Sequence, residues 1–471
     1  MLLTDSGPAL ARTFHAALGA IFVVAFLSLA VQQDLLFEAG GLAPIADAVA
    51  NVRRADAFAP TLFLWTASDL ALQLAAVAGA LCGALALFGR AVRPCLALAT
   101  LLYLSFATVG APFLNFQWDN LLLECGLLAV LLPRHRPAPV VHALLAVLLF
   151  KLYFESGLAK WYSPLGDWHD GSAMTFYYET APIPTRLAWY AHHLPAGWHA
   201  FEGWFMLAAE LALPFGIFLG RRPRLVVFAA LTGFQVLNLA TANYGFFCLL
   251  ALALHLFLLR DDDLARPRAW LARLPAWLRP PPVPSTSSAP GRPHRALLGA
   301  FAALYLGVSL LQGLARFADA PRWRVWSDAL APVHRLRMIN TYHLFAQITR
   351  VRIEPELRVF DGQTWHPLAL HHKPGPVDRP PPFVAPHQPR LDFQLWFYGL
   401  AMRRAPPGYI HRLLAMICRD PARAQRAFAT PLPAAPAAVQ IQFWRYTFSE
   451  PGAADWWQRA ELGSPRSLRC D

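Results

Sequence analysis

The 471-residue chain is 56% hydrophobic but only 15% charged, and its net charge is +12. A soluble domain carries about a quarter charged residues, so the composition excludes an ordinary soluble protein and points to a polytopic membrane protein. The basic excess is almost all arginine at loop positions, which reads as membrane orientation rather than nucleic-acid binding.

A spanning helix needs about 20 mainly apolar residues. The sequence predicts nine such segments, near 13–31, 61–88, 93–110, 118–132, 139–159, 203–219, 224–241, 243–259 and 296–315. The 118–132 segment is short and 224–259 divides in more than one way, so a count from seven to ten is compatible. The first segment has Arg12 in front and Ser28-Leu29-Ala30 at its end, like a secretory signal. Its apolar run exceeds the roughly 7–15 residues of a signal core, which predicts a retained anchor.

Arginines concentrate in alternate connectors: Arg90 and Arg93, then Arg134 and Arg136, then Arg221, Arg222 and Arg224, then seven arginines within 260–295. The connectors between these are poor in basic residues, Arg53 and Arg54 being a partial exception. The positive-inside rule then puts the N-terminus in the cytoplasm. Nine crossings put the tail on the opposite side. Residues 260–295, with their proline-rich stretch from Arg279, read as a cytoplasmic linker inside a membrane domain of residues 1–316. Cys82, Cys95, Cys125 and Cys248 fall in apolar segments, where a thiol behaves as a small hydrophobe. Cys418 and Cys470 lie in the tail and can pair if it faces an oxidising compartment.

Residues 317–471 read as a C-terminal α+β domain containing a β-sheet. Arg350–Glu354 and Leu357–Phe360 alternate in character, and Asp361-Gly362 signals a turn before Trp365 and Leu368. Helical stretches are expected near 391–403 and 408–428, and the loop 373–389 is dense in proline. Val439–Phe448 is the best strand in the chain, with Val439, Ile441, Phe443, Arg445 and Thr447 on one face.

The sharpest local motif is Phe150–Trp161. Lys151 and Glu155 lie four apart on one helix face and can pair. Unpaired charges in lipid are expensive, so both should point into the bundle or a wet cavity. Lys160 lies near the interface and can snorkel. These three residues are the candidates for a proton-handling polar site. The competing reading is a structural ion pair that fixes helix packing. The following connector, 160–202, carries Asp167, Trp168, His169, Asp170, Tyr178, Glu179, His192 and His193, a mixture of aromatics, carboxylates and histidines suited to the membrane interface. Their spacing matches no zinc pattern, and no metal or cofactor is expected. Nucleophile-elbow, phosphate-loop and dinucleotide motifs do not occur in the sequence.

Five blocks resemble the lipase maturation factor family: Asn115–Gly126; Phe150–Lys160; Trp168–Pro184 with His192-His193-Leu194-Pro195; Ile339–Arg350; and Pro389–Phe397 with Trp444–Gly452 and Trp456-Trp457. The resemblance implies a membrane protein that helps dimeric lipases fold and assemble, with a lumenal C-terminal domain that engages the client in the endoplasmic reticulum. The arginine-heavy composition and compact loops look bacterial, which implies an inner-membrane protein with a periplasmic tail. Residues matching the family blocks that are expected to bind a secreted client, a lipase or other hydrolase, are Asn340, Thr341, Tyr342, Arg350, Asp392, Gln394, Trp396 and Trp444. For Trp396 and Trp444 a place in the core of the tail is the competing expectation. The bundle is also distantly similar to vitamin K-dependent γ-carboxylases. That keeps an alternative open: a membrane enzyme acting on a lipid, quinone or exported polypeptide at Lys151, Glu155 and Lys160.

Overall fold

The computed structural model describes residues 7–265, 291–318 and 330–470. Among the described residues, seven helices are long and apolar enough to cross a membrane: α1 (Pro8–Ala30), α2 (Asp69–Leu87), α3 (Val92–Val109), α5 (Pro139–Trp161), α6 (Ala196–Phe218), α7 (Arg221–Thr241) and α9 (Arg292–Phe317). Two shorter helices complete the bundle, α4 (Gln117–Leu131) and α8 (Phe247–Leu258). Both are largely buried among the others, so protein rather than lipid satisfies their ends, and a short helix is tolerated there. The nine expected segments are thus all helical, but only seven have the full length.

Hydrogen bonds at the helix ends show which ends lie together. At one end, Asp261 accepts from the backbone of Ala9 and Leu10 at 2.9 Å, Arg93 donates to Val130 O at 2.7 Å, and Arg134 donates to Gly89 O at 2.7 Å. This end holds Arg12, Arg90, Arg221 and Arg260 and is here called the arginine face. At the other end, Ala39 N donates to Asp69 at 2.8 Å and Thr185 N to Thr241 O at 3.0 Å. The tail sits on this second end. The proline-rich linker expected from Arg279 lies outside the described residues.

Small residues bring the first helices close. A Cβ on Gly83 of α2 would lie 2.8 Å from Gly19 O of α1, so the backbones themselves are in contact, as membrane helix pairs commonly are. α9 is the most peripheral helix. Its buried residues are Tyr305, Val308, Ser309 and Gln312, a single i, i+3, i+4, i+7 stripe. Three of the four are polar. Lipid gives apolar helices little reason to associate, so this stripe docks through hydrogen bonds.

In the tail, β1 (Arg352–Phe360), β2 (Trp365–Leu368), β3 (Ala438–Phe448) and β4 (Trp457–Arg469) form an antiparallel sheet in the order β2-β1-β3-β4. The β1–β2 hairpin turns at Gly362, whose φ of 101° needs glycine, and Asp361 accepts from the backbone of Gln363 and Thr364. Helices α10 (Arg390–Leu400) and α11 (Gly408–Arg419) cover one face. The second ends earlier than expected, at Asp420-Pro421, because proline restricts the residue before it. β3 differs from the expected alternation. Val439, Ile441 and Phe443 are buried with the tail helices, but Arg445 is exposed, and Tyr446 and Phe448 are buried instead. The second half of the strand packs its other face on Trp168, Tyr177 and Tyr178 of the 160–202 connector. Both faces of β3 therefore have a cover, each over half its length. Cys418 and Cys470 form a disulfide across 52 residues that ties α11 to the end of β4.

Candidate functional site

The polar residues of the bundle collect under one irregular segment of the tail, residues 337–350. This segment has neither helix nor strand, so its backbone groups need partners elsewhere. Side chains of the bundle supply them. Glu124 Oε2 accepts from Asn340 N at 3.1 Å, from Asn340 Nδ2 at 3.0 Å and from the Tyr342 hydroxyl at 2.7 Å. Glu155 accepts from Tyr342 N at 2.7 Å, Gln117 from His343 N at 2.7 Å and Ser156 from Leu344 N at 3.3 Å. Gln312 donates to Ile339 O at 3.2 Å and Lys160 to Leu344 O at 2.9 Å. Tyr342 is fully buried, and burial, followed by the charge of Glu124, raises its hydroxyl well above its usual range. It therefore stays protonated and keeps donating.

Two expectations need correction. Lys151 pairs with Glu124 of α4 at 3.0 Å and donates to Ser309 of α9 at 3.0 Å, rather than pairing with Glu155 four residues along. A carboxylate on a facing helix reaches the ammonium in the bundle interior, while Glu155 is held by the Tyr342 backbone. Lys160 does not snorkel. It is fully buried, 2.6 Å from Glu210 of α6 and under the Trp168 ring. Its ammonium has a carboxylate, a carbonyl and an aromatic face as partners, so it has no need to reach water. The three lysine and glutamate candidates are thus joined to fixed partners that hold the 337–350 segment and the helices together. That engagement gives the enzymatic alternative no support.

The 160–202 connector anchors the tail. Arg350, largely exposed, forms an ion pair with the buried Asp167. Arg352 is fully buried and donates to Glu179 O at 2.9 Å and Pro182 O at 3.0 Å. Glu179 accepts from Phe448 N at 2.8 Å and lies 3.8 Å from His192. Burial, with the neighbouring His193 and His199, lowers the His192 imidazole to about 4, so it is neutral near pH 7. Tyr178 donates to Glu202 at 2.8 Å, His193 bonds Trp189 O, His169 bonds Trp161 O, and Asp170 accepts from Ser172 N. These residues form local bonds rather than one centre. Among the described residues, no group of three or more His, Cys, Asp or Glu is placed to hold a metal ion.

A second buried pair locks the far side. Arg390 of α10 donates to Asp119 of α4 at 2.8 Å and 3.1 Å, to the Tyr103 hydroxyl at 3.0 Å and to Phe113 O at 2.6 Å. The network spans α3, α4 and the tail, and both charges are buried.

Between these two anchors lies a cleft of about 920 Å³. Its floor is the start of α4 and the loop before it. One wall is Ile339–Thr349, another is Phe393, Gln394, Trp396 and Phe397 of α10, and Tyr177 with Thr180–Pro182 closes a side. Of the residues expected to bind a client, Asn340, Thr341, Gln394 and Trp396 line it. Tyr342 lies buried beneath. Asp392 faces away and accepts from His372 N at 2.9 Å. Trp444 sits on the sheet, where its indole donates to Glu356 and the Arg459 guanidinium lies 4.2 Å over its ring. Trp396 is half-buried and donates to Thr180 O at 2.9 Å. The sequence reading missed Phe116, Gln312 and Phe397, although the first and last lie inside family-like blocks.

Comparison with known proteins decides the family. The model of the lipase maturation factor transmembrane domain matches residues 10–266, and that of the lipase maturation factor C-terminal domain matches residues 338–466. The chain belongs to the lipase maturation factor family. It is 30% identical to lipase maturation factor 2 of Gallus gallus, over 95% of this chain and 80% of that protein. It is 29% identical to the Homo sapiens protein of the same name, over 95% and 81%. Lipase maturation factor 1 of Bos taurus is 28% identical, over 95% and 86%. No solved structure matches the chain. The family-like blocks at Asn115, Trp168, Ile339 and Pro389 each contribute to the cleft lining, and the block at Phe150 supports the 337–350 wall from below.

Proposed function

We propose that this integral membrane protein is a maturation factor for a secreted client, a lipase by family, and that the tail-side cleft is where the client engages. The observation that carries this reading is the convergence of the family-like blocks on one cleft facing away from the arginine face. The arginine face is read as cytoplasmic. Residues 1–316 then form the membrane domain, and residues 317–471 work on the far side, in a bacterial periplasm. The Cys418–Cys470 disulfide suits an oxidising compartment and supports the same sidedness independently of the arginines. Asn340, Thr341, Gln394 and Trp396 are the client-contacting members of the earlier set. Tyr342, Arg350 and Asp392 act by holding the cleft walls, and Trp444 by holding the sheet.

The test is the specific activity of an exported lipase in cells with and without this chain. The reading requires that lipase still be exported in the deletion strain but that its activity per molecule fall. Unchanged activity per molecule would remove the proposal.

A further inference from the structure

The cleft combines an aromatic wall with polar atoms that lack partners. Among the described residues, six buried side-chain atoms in its lining have no hydrogen bond: Trp118 Nε1, Asn120 Oδ1, Gln312 Oε1, His343 Nδ1, Thr349 Oγ1 and Gln394 Oε1. All six are buried behind the cleft surface, so they make the wall polar without themselves offering a contact to an occupant; what the surface does offer is its amide side chains, its aromatic rings and its main chain. The backbone adds to this. Among the described residues, Gln347, Ile348 and Thr349 make no backbone hydrogen bond, and they line the same cleft.

The lining also limits the chemistry of the occupant. Seven lining residues are Asn or Gln and none is Asp or Glu. Its arginine, Arg337, already donates to Leu114 O at 3.0 Å and to Asn115 at 3.3 Å. An anionic headgroup would therefore find no uncommitted guanidinium. Phe116, Phe393 and Phe397 form a contiguous aromatic wall, with ring centroids 5.1–6.0 Å apart, beside Trp396. Neutral amides with aromatic walls match one common partner closely: a polypeptide main chain, which offers an N–H and a C=O at every residue, carrying apolar side chains. Unpaired main-chain groups of this irregular run can pair with those of an extended peptide, as a sheet edge does in strand addition.

We infer that the cleft binds an extended, unfolded segment of polypeptide, neutral and rich in apolar side chains, recognised through its main chain. This rests on the maturation reading above and specifies it: the chain holds a client that has not finished folding, not the surface of a folded enzyme. Client main-chain groups pair with the main chain of Gln347–Thr349 and with the side-chain amide of Gln394. Client apolar side chains pack on Phe397 and Trp396.

The experiment uses the full chain in lipid nanodiscs and a fluorescent, neutral, Leu- and Phe-rich peptide. Two further probes are the same peptide with its backbone N-methylated and a neutral oligosaccharide. The inference expects the first peptide to bind, and N-methylation to weaken it by roughly tenfold or more, about 1.4 kcal/mol. Phe397→Ser and Gln394→Leu should do likewise. Phe397 is 41% exposed, so its substitution leaves the core intact, and the N-methylated probe tests the idea on unaltered protein. Equal binding of the two peptides, preference for the oligosaccharide, or indifference to both substitutions would overturn the inference. In cells, a Phe397→Ser/Gln394→Leu variant that matures lipase as well as the parent would also overturn it while leaving the maturation reading intact.

Discussion

Glu124 and Lys151 form a buried ion pair, yet removing one partner should cost far more than removing the other. Glu124 accepts from Lys151 at 3.0 Å, Asn340 N at 3.1 Å, Asn340 Nδ2 at 3.0 Å and Tyr342 at 2.7 Å, and also from Tyr305. Among the described residues, Lys151 has only Glu124 and Ser309 as hydrogen-bond acceptors. Glu124→Leu leaves a buried ammonium with one hydroxyl, and strands the backbone N–H of Asn340 and the hydroxyls of Tyr305 and Tyr342. Breaking a buried pair in this way costs about 3–5 kcal/mol. Lys151→Met leaves the carboxylate with four donors, which lowers the cost to about 1–3 kcal/mol, the scale of a hydrogen bond to a charged group. The double variant should be more stable than Glu124→Leu alone, because the orphaned ammonium is gone. Thermal unfolding of the full chain in nanodiscs gives the order of the three variants, and protease cleavage within residues 337–350 gives the local consequence. If Lys151→Met is as destabilising as Glu124→Leu, or if the double variant gains nothing over the single one, the carboxylate is not the hub described here.

Three further outcomes follow from the same geometry. Replacing Cys418 and Cys470 by serine removes a cross-link over 52 residues, which chain entropy puts at about 4 kcal/mol; loss of the non-reducing gel shift and a lower unfolding temperature check it, and an unchanged melt would refute it. Arg390→Lys keeps the charge but not the planar fork that serves Asp119, Tyr103 and Phe113 together, so it should destabilise the chain by about 1–3 kcal/mol, whereas a melt equal to the parent's would refute the network. Burial, then the charges of His372 and Arg390, lowers His387 from the usual 6.5 to about 4. The folded chain keeps this imidazole neutral while the unfolded chain binds a proton below pH 6.5, so its contribution is full above pH 6.5 and lost as pH falls toward 4. His387→Gln should therefore lose less stability than the parent between pH 7 and 4.5; parallel pH profiles would refute this.

The membrane bundle was legible because apolar length and arginine alternation are local properties, and the helix ends in space agree with them. The strand Val439–Phe448 was legible for a similar reason, though not the change of its buried face near Arg445, which depends on the remote connector at 160–202. Lys151 was rightly placed inside the bundle, but its partner lies 27 positions back in the chain, where i, i+4 reasoning does not reach. The cleft was only partly legible. The family-like blocks contain most of its walls, while the convergence of Phe116, Gln312 and Phe397 exists only after α4, α9 and α10 have packed. The unpaired amide atoms are likewise a property of the packed fold, since any glutamine in a sequence has equal claim to a partner.

The most direct measurement is pulse-chase photocrosslinking from position 397 in intact cells that export a lipase. A crosslinker there should capture the lipase during the pulse, on the far side of the membrane, and release it during the chase as enzymatic activity appears. Crosslinks only to cytosolic proteins, or none to the lipase while it still matures, would contradict both the sidedness and the place assigned to the client.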